Sequence, residues 1–177
     1  MQAHELQVAR VGLLSDSHGR HERTARAVAQ LVEAGAEVLV HLGDVNSREV
    51  LDSLLHEMDG DAPWPPVHVV FGNTDWQVEE FSDYALSLGI AVDHPVGRLE
   101  IGGKSLVFQH GDRWREMDRA LAEGVTYLCH GHTHVVRDER MGPTRVINPG
   151  ALQRAQTYNV GLLDVELDEL RILTVPR

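Results

Sequence analysis

The chain has 177 residues, 42% hydrophobic and 24% charged, and its 16 basic and 27 acidic side chains sum to a formal net charge of −11. That length suits a single domain spanning 1–177, and the composition excludes a disordered or collagen-like chain. The charge argues against an extensive nucleic-acid surface or an anionic-membrane surface, although divalent ions bound in a site can reverse its local sign.

The longest apolar runs, such as Val67 to Phe71, are far too short to cross a bilayer. Met1 to Arg10 carries no apolar stretch behind a basic flank, so no secretory signal is expected. The lone cysteine, Cys129, fits a reducing compartment and the position of a small core residue. A cytoplasmic protein with no membrane partner is expected; the sequence leaves a homo-oligomer open.

In chain order, Val8 to Leu14 reads as a buried strand. Residues 21–34 place Thr24, Ala27, Val28, Leu31 and Val32 at helical spacing, closed by Gly35. Glu37 to Leu42 is a second strand. Asn46 with Glu49 resembles a capping box before a helix whose face carries Val50, Leu51, Leu54, Leu55 and Met58. Val67 to Phe71 is a third strand after the Pro-rich stretch 63–66, and the two crossovers imply a parallel sheet. Within 76–95 a helix is expected near 79–88, with a lid as one role for the segment.

The second half is richer in strands. Residues 97–109 predict a hairpin turning at Gly102-Gly103. A helix follows at 113–123, with Trp114, Met117, Ala120 and Leu121 inward. Val125 to Cys129, Val135 to Arg140, Arg145 to Ile147, Asn159 to Glu166 and Leu170 to Val175 read as strands. Alternating α/β followed by strands suggests two mixed sheets.

The chemistry falls at strand ends. Five predicted strands run into Asp16-Ser17-His18, Gly43-Asp44, Gly72-Asn73-Thr74-Asp75, His110-Gly111 and Gly131-His132-Thr133-His134. Carboxyl ends of strands in an open α/β sheet form the ligand crevice, so these groups should converge. In an extended chain residues i and i+2 point the same way, so Asp16 with His18, and His132 with His134, are expected to face one ion each. Burying so many polar side chains in one crevice is costly without ions to bind them. Carboxylate, amide and imidazole without thiolate suit Mn, Fe, Ni or Zn better than an all-oxygen Mg or Ca site.

At these residues the sequence resembles the calcineurin-like metallophosphoesterase superfamily, whose D-x-H, G-D, G-N-H-[D/E], H and G-H-x-H blocks all occur in order over residues 16–134. It is most similar to the small YfcE-type phosphodiesterases, which Vps29 also resembles, and Ile147-Asn148-Pro149-Gly150 resembles a further loop of that group. The resemblance implies an α/β fold, a four-layer αββα sandwich with two mixed β-sheets flanked by helices. It implies a dinuclear centre in which Asp16, His18 and His134 hold one ion, Asn73, His110 and His132 the other, and Asp44 bridges them. Mn²⁺ is the implied ion, with Fe, Ni, Zn or Mg as alternatives. Asp44, Asn73 and His110 are then the candidate catalytic residues.

Two ions about 3.5–4 Å apart can hold a bridging water as hydroxide near neutral pH and neutralise a phosphodiester in an in-line displacement. The expected function is therefore hydrolysis of a small phosphodiester substrate. A Vps29-like scaffold, a phosphomonoesterase and a nuclease are the alternatives.

Two positions depart from the superfamily pattern. Thr74 replaces the leaving-group histidine, and a hydroxyl is no general acid near pH 7. Its neighbour Asp75 is expected to bind Thr74 or cap the turn. Asp112 stands where relatives often carry His, and is read as the N-cap of helix 113–123 in preference to a supporting role at the site. Thr74 and Arg20 are candidate substrate-binding residues, and Trp76 is read equally as a cleft-lining residue or as the anchor of a mobile segment. His41 is expected to be packed and hydrogen-bonded, and His130 to point away from the site. His4, His21, His56, His68 and His94 are expected to be solvated or peripheral.

Overall fold

The computed structural model describes residues 4–6, 9–55 and 64–177. One six-stranded sheet runs in the order β12 (Glu169–Val175), β11 (Tyr158–Asp164), β2 (Arg10–Leu14), β3 (Val38–His41), β4 (Val67–Val69), β5 (Ala91–Val92). Strands β2 to β5 are parallel, and β11 is antiparallel to both its neighbours. The other sheet runs β1 (His4–Leu6), β6 (Val96–Ile101), β7 (Lys104–Gln109), β8 (Tyr127–Cys129), β10 (Thr144–Asn148), β9 (Arg137–Met141). Here β7, β8 and β10 are parallel, flanked by the antiparallel β6 and β9.

Packing makes four layers. Val11, Leu13, Val38 and Val40 of the first sheet meet Leu99, Leu106, Phe108, Tyr127 and Ile147 of the second in one buried cluster between the sheets. Helices α1 (His21–Glu33), α2 (Arg48–Asp52) and α3 (Val78–Ser87) cover the outer face of the first sheet. Helix α4 (Trp114–Glu123) covers the second sheet, with Ala120, Met117 and Leu121 against Val107, Leu128 and Val146. The α1 face repeats Thr24, Ala27, Val28 and Leu31, all buried, as helical periodicity requires. Each fully buried aliphatic side chain of this kind contributes about 1.5–3 kcal/mol. The expected αββα sandwich with two mixed sheets is the observed fold.

The hairpin forms as predicted, Ile101 pairing with Lys104 across Gly102 and Gly103 at φ 56° and 72°. A two-residue turn with both φ values positive matches the twist of the strands and favours glycine. Several local expectations are corrected. Ser47, not Asn46, caps α2 by accepting from the Val50 N–H. Asn46 has been taken by the site, and Met58 lies outside the described residues. The N-cap of α4 is Arg113, without a side-chain bond, so Asp112 is not the cap. Trp114 is exposed, not inward, and of the residues of α4 only Ala120 is fully buried. Helix α3 buries Phe81 and Ala85 in the core, which makes it a layer of the fold and not a lid. Strands β1 and β5 were not foreseen.

Candidate metal centre

Five strands deliver the expected residues to one edge. Asp16 and His18 follow β2, Asp44 follows β3, Asn73 follows β4, His110 follows β7, and His132 and His134 follow β8. The loops are laced together by the backbone: Asp16 N–H donates to Gly43 O, His18 N–H to Asp44 O, and Gly131 N–H to His110 O.

The side chains converge, but not through extended backbone. Asp16, His18, Asp44, His132 and His134 have φ of 56°, 43°, 56°, 67° and 58°. These left-handed conformations are uncommon for residues with a Cβ and collect at functional sites where surrounding structure holds them. Each i/i+2 pair is thus aimed by tight turns, and the extended-chain argument for it is corrected. Close approach demands glycine at two points. A Cβ on Gly131 would stand 1.8 Å from Ser15 Oγ, and one on Gly72 2.2 Å from Asp44 Oδ1.

One donor atom from each of Asp16, His18, Asp44 and His134 lies within 4.8 Å of the others. His134 Nε2 is 3.1 Å from Asp16 Oδ1, His18 Nε2 is 3.4 Å from His134 Nε2, and His18 Nε2 is 3.5 Å from Asp44 Oδ2. On the other side of Asp44, His110 Nε2 stands 3.4 Å from the same Oδ2 and 3.2 Å from Asn73 Oδ1. The His132 ring lies edge-on to His110, centroids 5.1 Å apart.

Three of the imidazoles are oriented from behind. Nδ1 of His110 meets Leu42 O at 2.8 Å, Nδ1 of His18 meets Asn46 Oδ1 at 2.9 Å, and Nδ1 of His134 meets Arg154 O at 3.4 Å. An oxygen behind the ring fixes the tautomer and turns Nε2 inward, the usual arrangement of metal-bound histidine.

The electrostatics fit a cation. Burial alone would raise the Asp44 carboxyl, but the His110 hydrogen bond and charge, helped by the Thr74 N–H, hold it well below the carboxylate range. Burial would lower His110, and its contacts with Asp44 outweigh that and keep it near 9. Bonding to Asp16 raises His134, against the effect of its burial. The buried Asp16 Oδ1 makes no well-aligned hydrogen bond and faces His134 Nε2 at 3.1 Å. The buried Asp16 and Asp44 carboxylates thus draw positive charge onto the imidazoles around them, a charge that a divalent cation would supply in place of those protons.

Supporting residues surround this set. His41 is buried between Ser17 Oγ (2.8 Å) and the Gly43 N–H (3.2 Å), and burial lowers it to about 4, so it packs neutral between two site loops. Asp75 does not bind the Thr74 hydroxyl. Its carboxylate accepts from the N–H groups of Val45, Asn46 and Gly72 and from Asn46 Nδ2, tying the Asp44 loop to the Asn73 loop. Thr74 Oγ1 instead meets the Asn46 side chain. Asn148, at the end of β10, is buried and donates to Gly131 O and Thr133 Oγ1, bracing the G-H-x-H turn. His130 turns away, its Nδ1 on Gly131 O.

His68 is not peripheral. It is buried with Nδ1 2.7 Å from Asp93 Oδ2. His94 is half-buried and accepts from the Phe71 N–H, whereas His21 is exposed. His56 and the His4 side chain lie outside the described residues.

Arg20 is exposed and lines a groove with Gly19, His21, Arg23 and Arg26. The cavity beside His18, Asn46 and Thr74 is lined instead by Trp76 and Arg154. Asn46 and Arg154 are site residues that sequence reasoning missed. Asn46 had a competing role as a helix cap, and Arg154 had no motif around it.

These features define a candidate metal-binding crevice at the carboxyl edge of a four-layer sandwich. The calcineurin-like phosphoesterase superfamily domain matches residues 10–168, and the chain belongs to that family. Phosphodiesterase YfcE of Escherichia coli strain K12 is 26% identical over 163 residues, covering 85% of this chain and 84% of YfcE. A structure described as a novel archaeal phosphodiesterase superposes with a TM-score of 0.80 at 22% identity, covering 94% of this chain and 99% of the other. Vps29 from Entamoeba histolytica complexed with Zn²⁺ shares the fold at a TM-score of 0.57 and 17% identity, covering 94% of this chain and 98% of Vps29. Among the described residues no helix is long and apolar enough to cross a membrane.

Proposed function

We propose that this protein is a metal-dependent phosphodiesterase acting on a small phosphodiester at a dinuclear centre. One observation carries the reading: Asp44 Oδ2 lies between two groups of donors, 3.5 Å from His18 Nε2 and 3.4 Å from His110 Nε2. Asp16, His18 and His134 would hold one divalent ion, Asn73, His110 and His132 a second, and Asp44 both. The mixed N/O donor set suits Mn, Fe, Ni or Zn, and the family resemblance favours Mn²⁺ among them. Such a centre would supply a hydroxide at neutral pH and would neutralise charge on the phosphate.

The chain itself supplies positioning. Leu42 O, Asn46 and Arg154 O hold the imidazoles, and the Thr74 N–H fixes the Asp44 carboxylate at 3.0 Å. Thr74, facing the cavity beside His18, offers a hydroxyl to a substrate oxygen but no acid for a poor leaving group. Diesters with good leaving groups are therefore favoured over unactivated monoesters. The likeness to Vps29 concerns the fold alone, and the complete set of seven donor-type residues favours catalysis over a scaffold.

The test is hydrolysis of bis-p-nitrophenyl phosphate by chelator-stripped protein titrated with Mn²⁺, alongside Asp44→Asn. Activity should appear with metal and fall roughly 100-fold or more in the variant. Folded, Mn²⁺-loaded protein that hydrolyses no diester would overturn the assignment.

A further inference from the structure

Next to His18 a cavity of ≈ 340 Å³ is lined by Asn46, Thr74, Trp76 and Arg154. That size is at the small end of ligand sites, which span about 300–1,000 Å³. It has room for a mononucleotide-sized group. Trp76 follows the Asn73 loop directly and is 88% exposed, so it anchors nothing in the core. A large indole left in water is costly, and its face is suited to stacking on a planar ring.

Arg154 is the one permanent cation among the cavity-lining residues. Its guanidinium makes no hydrogen bond or ion pair among the described residues, although the net charge of −11 supplies many acidic side chains elsewhere. Its backbone is fixed to the centre. Arg154 sits at φ 55°, and its carbonyl faces His134 Nδ1. Arg23 holds the same loop by donating to Leu152 O (2.7 Å) and Gln153 Oε1 (2.9 Å), with its own guanidinium 3.8 Å over the Tyr158 ring. A free guanidinium on a tethered loop and an unpacked indole therefore flank one cavity that opens onto His18.

We infer that Trp76 and Arg154 form a substrate subsite for a nucleoside phosphoryl group, Trp76 stacking on the base and Arg154 pairing with phosphate oxygens. The inference rests on the phosphodiesterase reading and names its substrate class, small nucleotide diesters. Guanidinium is matched to phosphate by its planar fork, and aromatic stacking tolerates any base.

The test is calorimetric binding of AMP and of methyl phosphate to the Mn²⁺-loaded protein, with hydrolysis of bis-p-nitrophenyl phosphate measured separately. Wild type should prefer AMP. Trp76→Ala should cut that preference about tenfold, equivalent to about 1.4 kcal/mol, and Trp76→Phe should keep most of it. Arg154→Met should weaken both ligands together. Equal affinity for the two ligands in wild type, or a preference untouched by Trp76→Ala, would overturn the subsite. An AMP preference in a protein that hydrolyses no diester would overturn the phosphodiesterase reading and leave the subsite standing.

Discussion

Asp75→Asn probes what holds the two central loops of the site together. The carboxylate accepts four hydrogen bonds, two on Oδ2 from the Val45 and Gly72 N–H groups, and two on Oδ1 from the Asn46 N–H and Nδ2. Asparagine keeps one acceptor oxygen, so in either orientation its amide nitrogen faces two donors. Each buried N–H left without an acceptor costs about 1–3 kcal/mol. Part of that loss is offset because burial already disfavours the charged carboxylate and raises Asp75 above its ordinary value. The net destabilisation is about 2–4 kcal/mol. For a domain of this length that corresponds to a Tm lowered by roughly 5–15 °C. Thermal unfolding followed by circular dichroism reads it directly, and Mn²⁺ titration should show weaker uptake, since Asn46 also orients His18. A Tm within about 2 °C of wild type would refute the claim that this carboxylate ties the loops.

Thr74→His should raise the rate on alkyl phosphomonoesters relative to activated diesters, measured with glycerol phosphate and bis-p-nitrophenyl phosphate, because it restores a group able to protonate a leaving alkoxide; an unchanged ratio would count against that role. Cys129 is fully buried, which pushes its thiol up to about 12, so Ellman's reagent should find no thiol in the native protein and one after unfolding in guanidinium. Arg145 bonds Asp138 at 2.7 and 2.8 Å and Asp168 at 2.8 Å. The Arg145 hydrogen bond lowers Asp138; for Asp168, bonds from Arg145 and Tyr127 outweigh the opposing effect of burial. Lowered carboxylates stabilise the fold above their unfolded value near 4 and lose that contribution as pH falls through the folded value. The gap in urea midpoint between wild type and Arg145→Met should accordingly shrink below about pH 4, and a constant gap down to pH 2.5 would contradict the linkage.

What could be read from residues alone was whatever obeys a local rule. Periodicity placed Thr24, Ala27, Val28 and Leu31 on one helix face, and Gly102-Gly103 turned the hairpin. The convergence of Asp16, Asp44, Asn73, His110 and His132 followed from parallel strands sharing one carboxyl edge. Local rules failed where distant chain segments competed for a residue. Asn46 had the spacing of a helix cap, yet His18 and Thr74 claim its side chain, and Ser47 caps instead. His68 looked peripheral because its partner Asp93 is remote in sequence.

The left-handed backbone at Asp16, His18, Asp44, His132 and His134 was equally hidden, since Asp and His tolerate it better than most residues but still adopt it only occasionally. Contacts from neighbouring loops hold such turns, both within one sheet, as Asp16 N–H on Gly43 O, and from the opposing sheet, as Gly131 packed against Ser15. The same cause conceals the cavity that sets Trp76 beside Arg154. Composition and spacing thus determine which donors exist and which strand ends carry them. The packing of one sheet on the other decides where each donor atom points, because orientation depends on neighbours that the linear chain does not place side by side.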